Sequence, residues 1–452
     1  MIGHCSARTG PPFAVKQWRG VQVQSVLIIG AGVAGLAAAQ RLLRAGGPNV
    51  RVTIIEARDR LGGRIHTLRD RRLPVAVELG AEFVHGRPDE IWDIIRSGKL
   101  LLGSLEGDNW CSENHVLKKC NDFWARWNEV SRLLKRGRTF PDRSFSEFID
   151  TLPLDEETKR SATEYVQGFN AARADLVSVQ HLGCSQEAAD RINGDMPYRI
   201  LSGYDRIVNF LGRLDPKRVT FHLNTVVNEI EWRPGRVRAN EFEADRAIIT
   251  LPLGVLQAGV VRFIPDLEEK RAAAHQMVMG HAVKAILCFD SPFWEERGIT
   301  RVSFIHARGE KFPTWWTTRP IAAPILIGWA GGPLAEALSF RTENDIRRAA
   351  IRSLANALKM NSVQLEQHII ASFVRDWQSD PFSLGAYSYV PVGAITAPLR
   401  LAEPVADTLF FAGEATNGEG RSATVHGAIA TGYRAANELL GELLSPGGRH
   451  AA

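Results

Sequence analysis

Residues 25–46, SVLIIGAGVAGLAAAQRLLRAG, constrain the fold more than any other stretch of this chain. A continuous apolar strand runs into Gly30, Gly32 and Gly35 in G-x-G-x-x-G spacing, and a helix rich in Ala and Leu follows. In such a turn Gly30 reverses the chain, Gly32 lets a pyrophosphate approach the backbone, and Gly35 lets helix and strand pack closely. The free N–H groups at the helix start suit an anion. A second apolar strand, VRVTIIEA, ends in Glu56, placed to accept hydrogen bonds from ribose hydroxyls and to repel a 2′-phosphate. The unit predicts a dinucleotide site on a parallel sheet.

At 452 residues the chain has room for two or three domains, and 45% hydrophobic with 23% charged residues is ordinary for a soluble globular protein. The net charge of +5 is modest. Its densest sources, RDRR at 69–72 and KRGR at 135–138, read as solvated turns, and nucleic acid is not an expected partner. The 5 cysteines are odd in number and scattered, without CxxC or metal spacing, so a reduced, cytoplasmic location and no metal are expected. Residues 1–24 lack the apolar core of a signal peptide and read as a flexible tail, as do residues 446–452. No apolar window is long enough for a membrane span.

A lysine breaks the pattern of GHAVKAILCFD, residues 280–290. Ala282, Lys284, Ile286 and Cys288 share one strand face, and Val283, Ala285, Leu287 and Phe289 share the other. Both faces are apolar apart from Lys284, which therefore either snorkels from a sheet edge or is buried for a purpose.

Downstream of Glu56, EARDRLGGRIHT carries a second glycine turn followed by Arg64. Together with VELGAEFVHG (77–86), LNTVVNEIEW (223–232), DRAIITLPLGVLQ (245–257) and DTLFFAGEATNGEGRSATVHGAIATGYRAANEL (407–439), it resembles the flavin amine oxidase superfamily over nearly the whole chain. The resemblance implies an α/β fold: a discontinuous Rossmann-type FAD-binding domain (25–88, 199–265 and 403–445) and a mixed α+β substrate-binding domain (89–198 and 266–402). It places Arg58, Gly63, Arg64, Gly413 and Glu414 near the diphosphate and ribitol. Gly80, Ala81, Glu82 and Phe83 would pass the flavin ring, and Val227 would lie at the adenine. Ser422 or Thr424 can cap the last helix, and the resemblance points the Thr424–Val425 end at the flavin.

GHAVKAILCFDSPFW and RDWQSDPFSLGAYSYVPVG resemble the polyamine oxidase and histone demethylase branch. The likeness makes Lys284 the lysine that holds a water at the flavin, puts Trp377 near the ring system, and turns Tyr387 toward substrate. Tyr389 is either wall or core, and His85 either a tunnel residue or a packed one. Glu82 is a weaker candidate, as an acid for a second ammonium. Ala386 replaces the position from which monoamine oxidases attach FAD through cysteine, so FAD is expected to be non-covalent. The demethylases' helical insertion has no counterpart here, and Arg87 is displaced from the carboxylate-gripping arginine of L-amino acid oxidases. The implied activity is oxidation of a small amine, polyamine or similar, with O2 reduced to H2O2 and the imine hydrolysed to an aldehyde, in a monomer or homodimer. The net basic charge opposes steering of a polycation. Competing readings are an amino acid oxidase, a relative acting on an uncharged substrate as phytoene desaturases do, and a non-enzymatic relative like the Rab GDP-dissociation inhibitors.

Overall fold

The computed structural model describes residues 25–113, 116–120, 123–136 and 141–441. The two tail readings, Cys5 and the Gly137–Arg138 half of KRGR lie outside them.

Five strands form a wholly parallel sheet in the order Val219–His222, Arg51–Ile55, Ser25–Ile29, Arg246–Ile249, Leu409–Phe411. Strand alternation sends Val26, Ile28, Val52, Ile54, Ile248 and Phe410 into one core with the helices Val33–Ala45 and Val425–Leu440. Leu27, Ile29, Ile55, Ala247, Ile249, Leu409 and Phe411 face the other way, onto Val227, Ile230 and Val237. Burial on both faces explains the unbroken apolar strands. The two helices touch through glycine: a Cβ on Gly432 would lie 2.2 Å from the Ala34 carbonyl oxygen. The outward order from Ser25–Ile29 reverses at its own strand, and the crevice there holds the first glycine turn.

A second sheet of seven strands runs Ile369–Asp376, Ala282–Phe289, Ile325–Gly331, Thr314–Thr317, Val302–Ala307, Asp108–Glu113, Val116–Lys119. All eight residues of Ala282–Phe289 are buried, and both its edges are paired. Val283, Ala285, Leu287 and Phe289 pack against the helix Glu343–Leu358, and Ile286 and Cys288 pack on Leu79 and Trp316. The snorkelling alternative for Lys284 fails on this geometry. The helices Phe123–Arg136, Phe145–Asp150, Glu156–Phe169 and Val179–Arg191 share a separate core, in which Tyr389 is packed.

One cysteine reading is corrected. Cys111 and Cys120 form a disulfide at the Asp108–Lys119 hairpin, so these thiols are not the reduced, unpaired set that their spacing suggested. The hairpin register sets Cys111 opposite Lys118 and brings Cys120 alongside. No helix among the described residues is long and apolar enough to cross a membrane.

Candidate active site

A cavity of about 1150 Å³ begins at the glycine turns and extends beneath the second sheet. Every residue singled out above as a site residue lines it except Gly35. Gly35 sits behind the turn, where a Cβ would lie 2.1 Å from the Gly30 carbonyl oxygen.

At the nucleotide end the backbone is left open. Added Cβ atoms on Gly32 and Gly413 would meet nothing within 4 Å, and Gly413 has a φ of +130° that favours glycine. The helix Val33–Ala45 starts with no side-chain cap and no acid in its first turn, so its N–H groups remain for an anion. The second glycine turn docks on the first, with Gly62 N–H donating to the Ala31 carbonyl at 2.9 Å. Buried Glu56 accepts from Ala31 N–H at 2.8 Å and Arg58 N–H at 2.9 Å, which fixes its carboxylate at the rim of the cavity. Val227 lines the same end, with Thr225 and Val226.

The three charged groups beside the turns are paired with protein. Arg58 makes two hydrogen bonds to buried Asp380, at 2.9 and 2.7 Å, and lies over the Phe382 ring. Arg64 donates to the Ala386 carbonyl at 2.7 Å and to Glu414 at 2.9 Å. Glu414 also accepts from the Ser388 hydroxyl at 2.6 Å and Ala423 N–H at 2.9 Å. Arg64 and Glu414 thus tie the closing strand to the Ala386–Ser388 segment.

Thr424, not Ser422, caps the last helix: its hydroxyl accepts from Gly427 N–H at 2.9 Å and donates to the Arg421 carbonyl at 2.7 Å. Val425 follows as the first helical residue. Trp377 is buried and donates to the Leu79 carbonyl at 3.1 Å. Gly80 permits a contact no other residue could make, since a Cβ there would lie 1.8 Å from the Arg64 carbonyl oxygen. Ala81 follows it along the cavity.

Lys284 is 2% exposed. Its ammonium donates to the carbonyls of Glu78 and Gly80, both at 2.9 Å, and to Glu82 at 2.7 Å. An ammonium has three donors and no acceptor. Each of the three has a protein acceptor within reach. Glu82 lines the cavity with its loop, and its carboxylate is already engaged by protein: it accepts from Lys284, from Arg199 at 2.5 Å and from Trp316 at 2.9 Å. Burial pushes its carboxyl up, but the two cations outweigh burial and hold it below the usual carboxylate range.

Beyond Lys284 the walls are aromatic. Tyr165 and Phe169 stack at 5.1 Å, Trp127 meets Tyr165 at 4.0 Å, and His85 meets Phe169 edge-on at 5.6 Å. Phe83 packs on Trp316 at 5.6 Å. Tyr387 lies across from them, packed by Trp377 and Ala386. Burial lowers His85, His181 and His306 to about 4, and burial, Arg421 and His85 lower His426 to about 3. All four line the cavity as neutral rings at pH 7. Glu157 and Glu164, on one face of Glu156–Phe169, also reach it, but both are paired to Arg308.

Arg199, Trp316, Phe169, Tyr165, Asp380 and the three further histidines were missed in the sequence. Arg199 had a signal: it stands in PYRI, a single charge in an apolar strand like Lys284.

An open glycine cradle at a helix start, a fixed acid for ribose and an adjoining aromatic chamber fit a flavin dinucleotide, and together define a flavoprotein oxidoreductase. Residues 33–116 and 128–440 match the model for flavin-containing amine oxidoreductases, and the chain belongs to that family. It is 30% identical over 456 residues to probable polyamine oxidase 4 of Arabidopsis thaliana, covering 91% of this chain and 86% of that protein. Lysine-specific histone demethylase 1 homolog 3 of the same plant is 28% identical over 96% of this chain, which spans 31% of that protein's length. In fold it is similar to putrescine oxidase with putrescine bound (TM-score 0.78, 19% identity, 93% and 99% of the two chains). It is also similar to cyclohexylamine oxidase from Brevibacterium oxydans IH-35A (TM-score 0.76, 21% identity, 93% and 99%).

Proposed function

We propose that this chain is an FAD-dependent oxidase of a small primary or secondary amine, polyamines included. One observation carries the reading: the cavity that opens on the glycine cradle ends in a chamber walled by aromatic rings and neutral histidines at Lys284. Bound FAD would supply the two-electron acceptor for a hydride from the amine's α-carbon, with O2 as the final oxidant reduced to H2O2, and water would hydrolyse the imine to an aldehyde and the released ammonia or amine.

The residues' tasks follow from their places. The Val33–Ala45 helix start and the Gly32, Gly63 and Gly413 backbone would hold the diphosphate, Glu56 the ribose, and Val227 the adenine. Trp377, Gly80 and Thr424 would border the ring system. The Tyr165, Phe169 and Tyr387 rings attract an ammonium on entry through their faces and exclude bulk water around the neutral amine. The histidines add acceptors without adding charge. In this reading residues 25–88, 199–265 and 403–445 serve the cofactor, and residues 89–198 and 266–402 serve the substrate.

FAD is held without a covalent bond: Ala386 stands where a cysteine would attach it, and among the described residues the cysteines that line the cavity, Cys111 and Cys120, are joined to each other. Acid precipitation should leave the yellow colour in the supernatant. An anaerobic flavin-bleaching screen over monoamines, diamines, polyamines and amino acids then tests the substrate class. Bleaching by amino acids alone would replace this reading.

A further inference from the structure

We propose that Glu82 is a positioning residue that fixes Lys284, so that the lysine presents a stationary cation to the cavity. The inference rests on the flavin reading above, since bound flavin is its reporter.

Three elements converge on the pair. Glu82 and the Glu78 and Gly80 carbonyls come from one loop and take the whole ammonium. Arg199, on the strand Pro197–Ile200, and Trp316, on Thr314–Thr317, both donate to Glu82 Oε1 and leave Oε2 to the lysine. Arg199 is anchored in turn by the carbonyls of Thr317 at 3.2 Å and Arg319 at 3.1 Å. The Trp316 ring lies 5.5 Å from the Lys284 nitrogen, and the Phe83 ring 5.2 Å from the Arg199 guanidinium. Buried ions persist only when each is paired and fully hydrogen-bonded, and here each carboxylate oxygen and each ammonium proton has a partner. Two cations share one anion, so the cluster keeps one net positive charge.

The titratable groups around Lys284 are Glu78 and Glu82 from the loop and Arg199 from its strand. Arg375 stands opposite it on the neighbouring strand, and Glu78, whose carboxyl burial raises to about 7, has finished titrating by about pH 8. Removing the Glu82 charge leaves Lys284 and Arg199 as buried like charges. Arginine keeps its proton, so the lysine loses its own at alkaline pH.

The experiment uses holoenzyme: wild type, Glu82→Gln, Lys284→Met and the double variant. The flavin absorption spectrum and the rate of reoxidation by O2 are recorded from about pH 8 to about pH 10, above the range in which the buried Glu78 carboxyl titrates and below the ordinary lysine pKa. Wild type should be flat through this window. Glu82→Gln should gain an inflection in both readouts, with at least a roughly tenfold slower reoxidation on its alkaline side, and the double variant should lose the inflection. A flat Glu82→Gln profile, or an inflection that survives in the double variant, overturns the proposal. If Glu82→Gln does not fold, wild type and Lys284→Met decide. A flat wild type with at least roughly tenfold slower reoxidation in Lys284→Met supports the fixed cation. A wild-type inflection abolished by Lys284→Met, or equal rates, refutes it. A wild-type protein that purifies without flavin and takes up none fails the cofactor reading instead.

Discussion

Tyr387 donates its hydroxyl hydrogen to the carbonyl oxygen of Phe169 at 2.6 Å. Trp329 donates its indole N–H to the Gly168 carbonyl at 2.9 Å. These carbonyls belong to the last turn of Glu156–Phe169, where helical partners run out. Two aromatic side chains of the cavity therefore hold the end of the helix that carries Tyr165 and Phe169. Burial pushes the Tyr387 hydroxyl far above its ordinary range. It stays protonated and acts as a strut, with no part as an acid or base.

The strut and the ring can be separated. Tyr387→Phe should keep the ring, cost about 1 kcal/mol of stability, and raise KM more than it lowers kcat as the Phe169 wall loosens. Tyr387→Ala should lower kcat/KM at least about tenfold, roughly 1.4 kcal/mol, with the flavin spectrum largely intact. Melting curves and steady-state kinetics on both variants check this. Wild-type kinetics in Tyr387→Ala would make the residue part of the core alone.

Glu56 holds two backbone N–H groups and faces the cavity with what remains of its carboxylate. Glu56→Gln keeps the shape but turns one accepting oxygen into a donor against an N–H. Charge-assisted hydrogen bonds contribute on the order of 1.5–3 kcal/mol each. FAD should therefore bind about tenfold to a hundredfold more weakly, as measured by quenching of flavin fluorescence on titrating apoprotein. An unchanged dissociation constant would move the ribose contact elsewhere.

What the sequence made legible was local chemistry. The Gly30 turn, the acid at the end of the second strand, a cap at Ser422 or Thr424 and the strand apolar on both faces around Lys284 each follow from neighbours a few residues away. What stayed hidden was set by tertiary approach. Glu82 meets Arg199 and Lys284 across 117 and 202 residues, and nothing near Glu82 announces either partner. A resemblance placed the loop beside the flavin, yet the side chain points at the lysine. The Cys111–Cys120 pair was missed because spacing was sought as CxxC, whereas a hairpin register brings the two together. Tyr389 shares a short strand with Tyr387 but packs among the helices.

The buried histidines should make the protein acid-sensitive. His85, His181 and His306 titrate at about 4 and His426 at about 3 in the fold, against 6.5 ordinarily. Between these values the unfolded chain binds more protons, so stability is present above about pH 6.5 and is lost as pH falls toward 4. Denaturant melts of the apoprotein should show stability falling steadily from pH 7 to pH 5. Replacing His181 with Gln should flatten the slope. A slope unchanged by that replacement would show that the histidine is not buried neutral.

Glu78 should act with the opposite sign. Burial raises its carboxyl to about 7 from 4.5, although Tyr204 N–H at 2.8 Å and the Thr67 hydroxyl at 2.7 Å hold it down. Between pH 4.5 and 7 the native state keeps a proton that the unfolded chain releases, so this group lowers stability as pH rises and levels off above 7. The full shift corresponds to about 3 kcal/mol. Glu78→Gln keeps the side chain's shape, still accepts from Tyr204 through its amide oxygen, and donates to Thr67 through its nitrogen. Its backbone carbonyl continues to receive Lys284. The variant should match wild type near pH 5 and exceed it near pH 8, by about 1–3 kcal/mol. Urea melts at both pH values measure the difference directly. A constant offset at the two pH values would mean that Glu78 is ionised throughout, and that the cation of Lys284 reaches it more strongly than burial does.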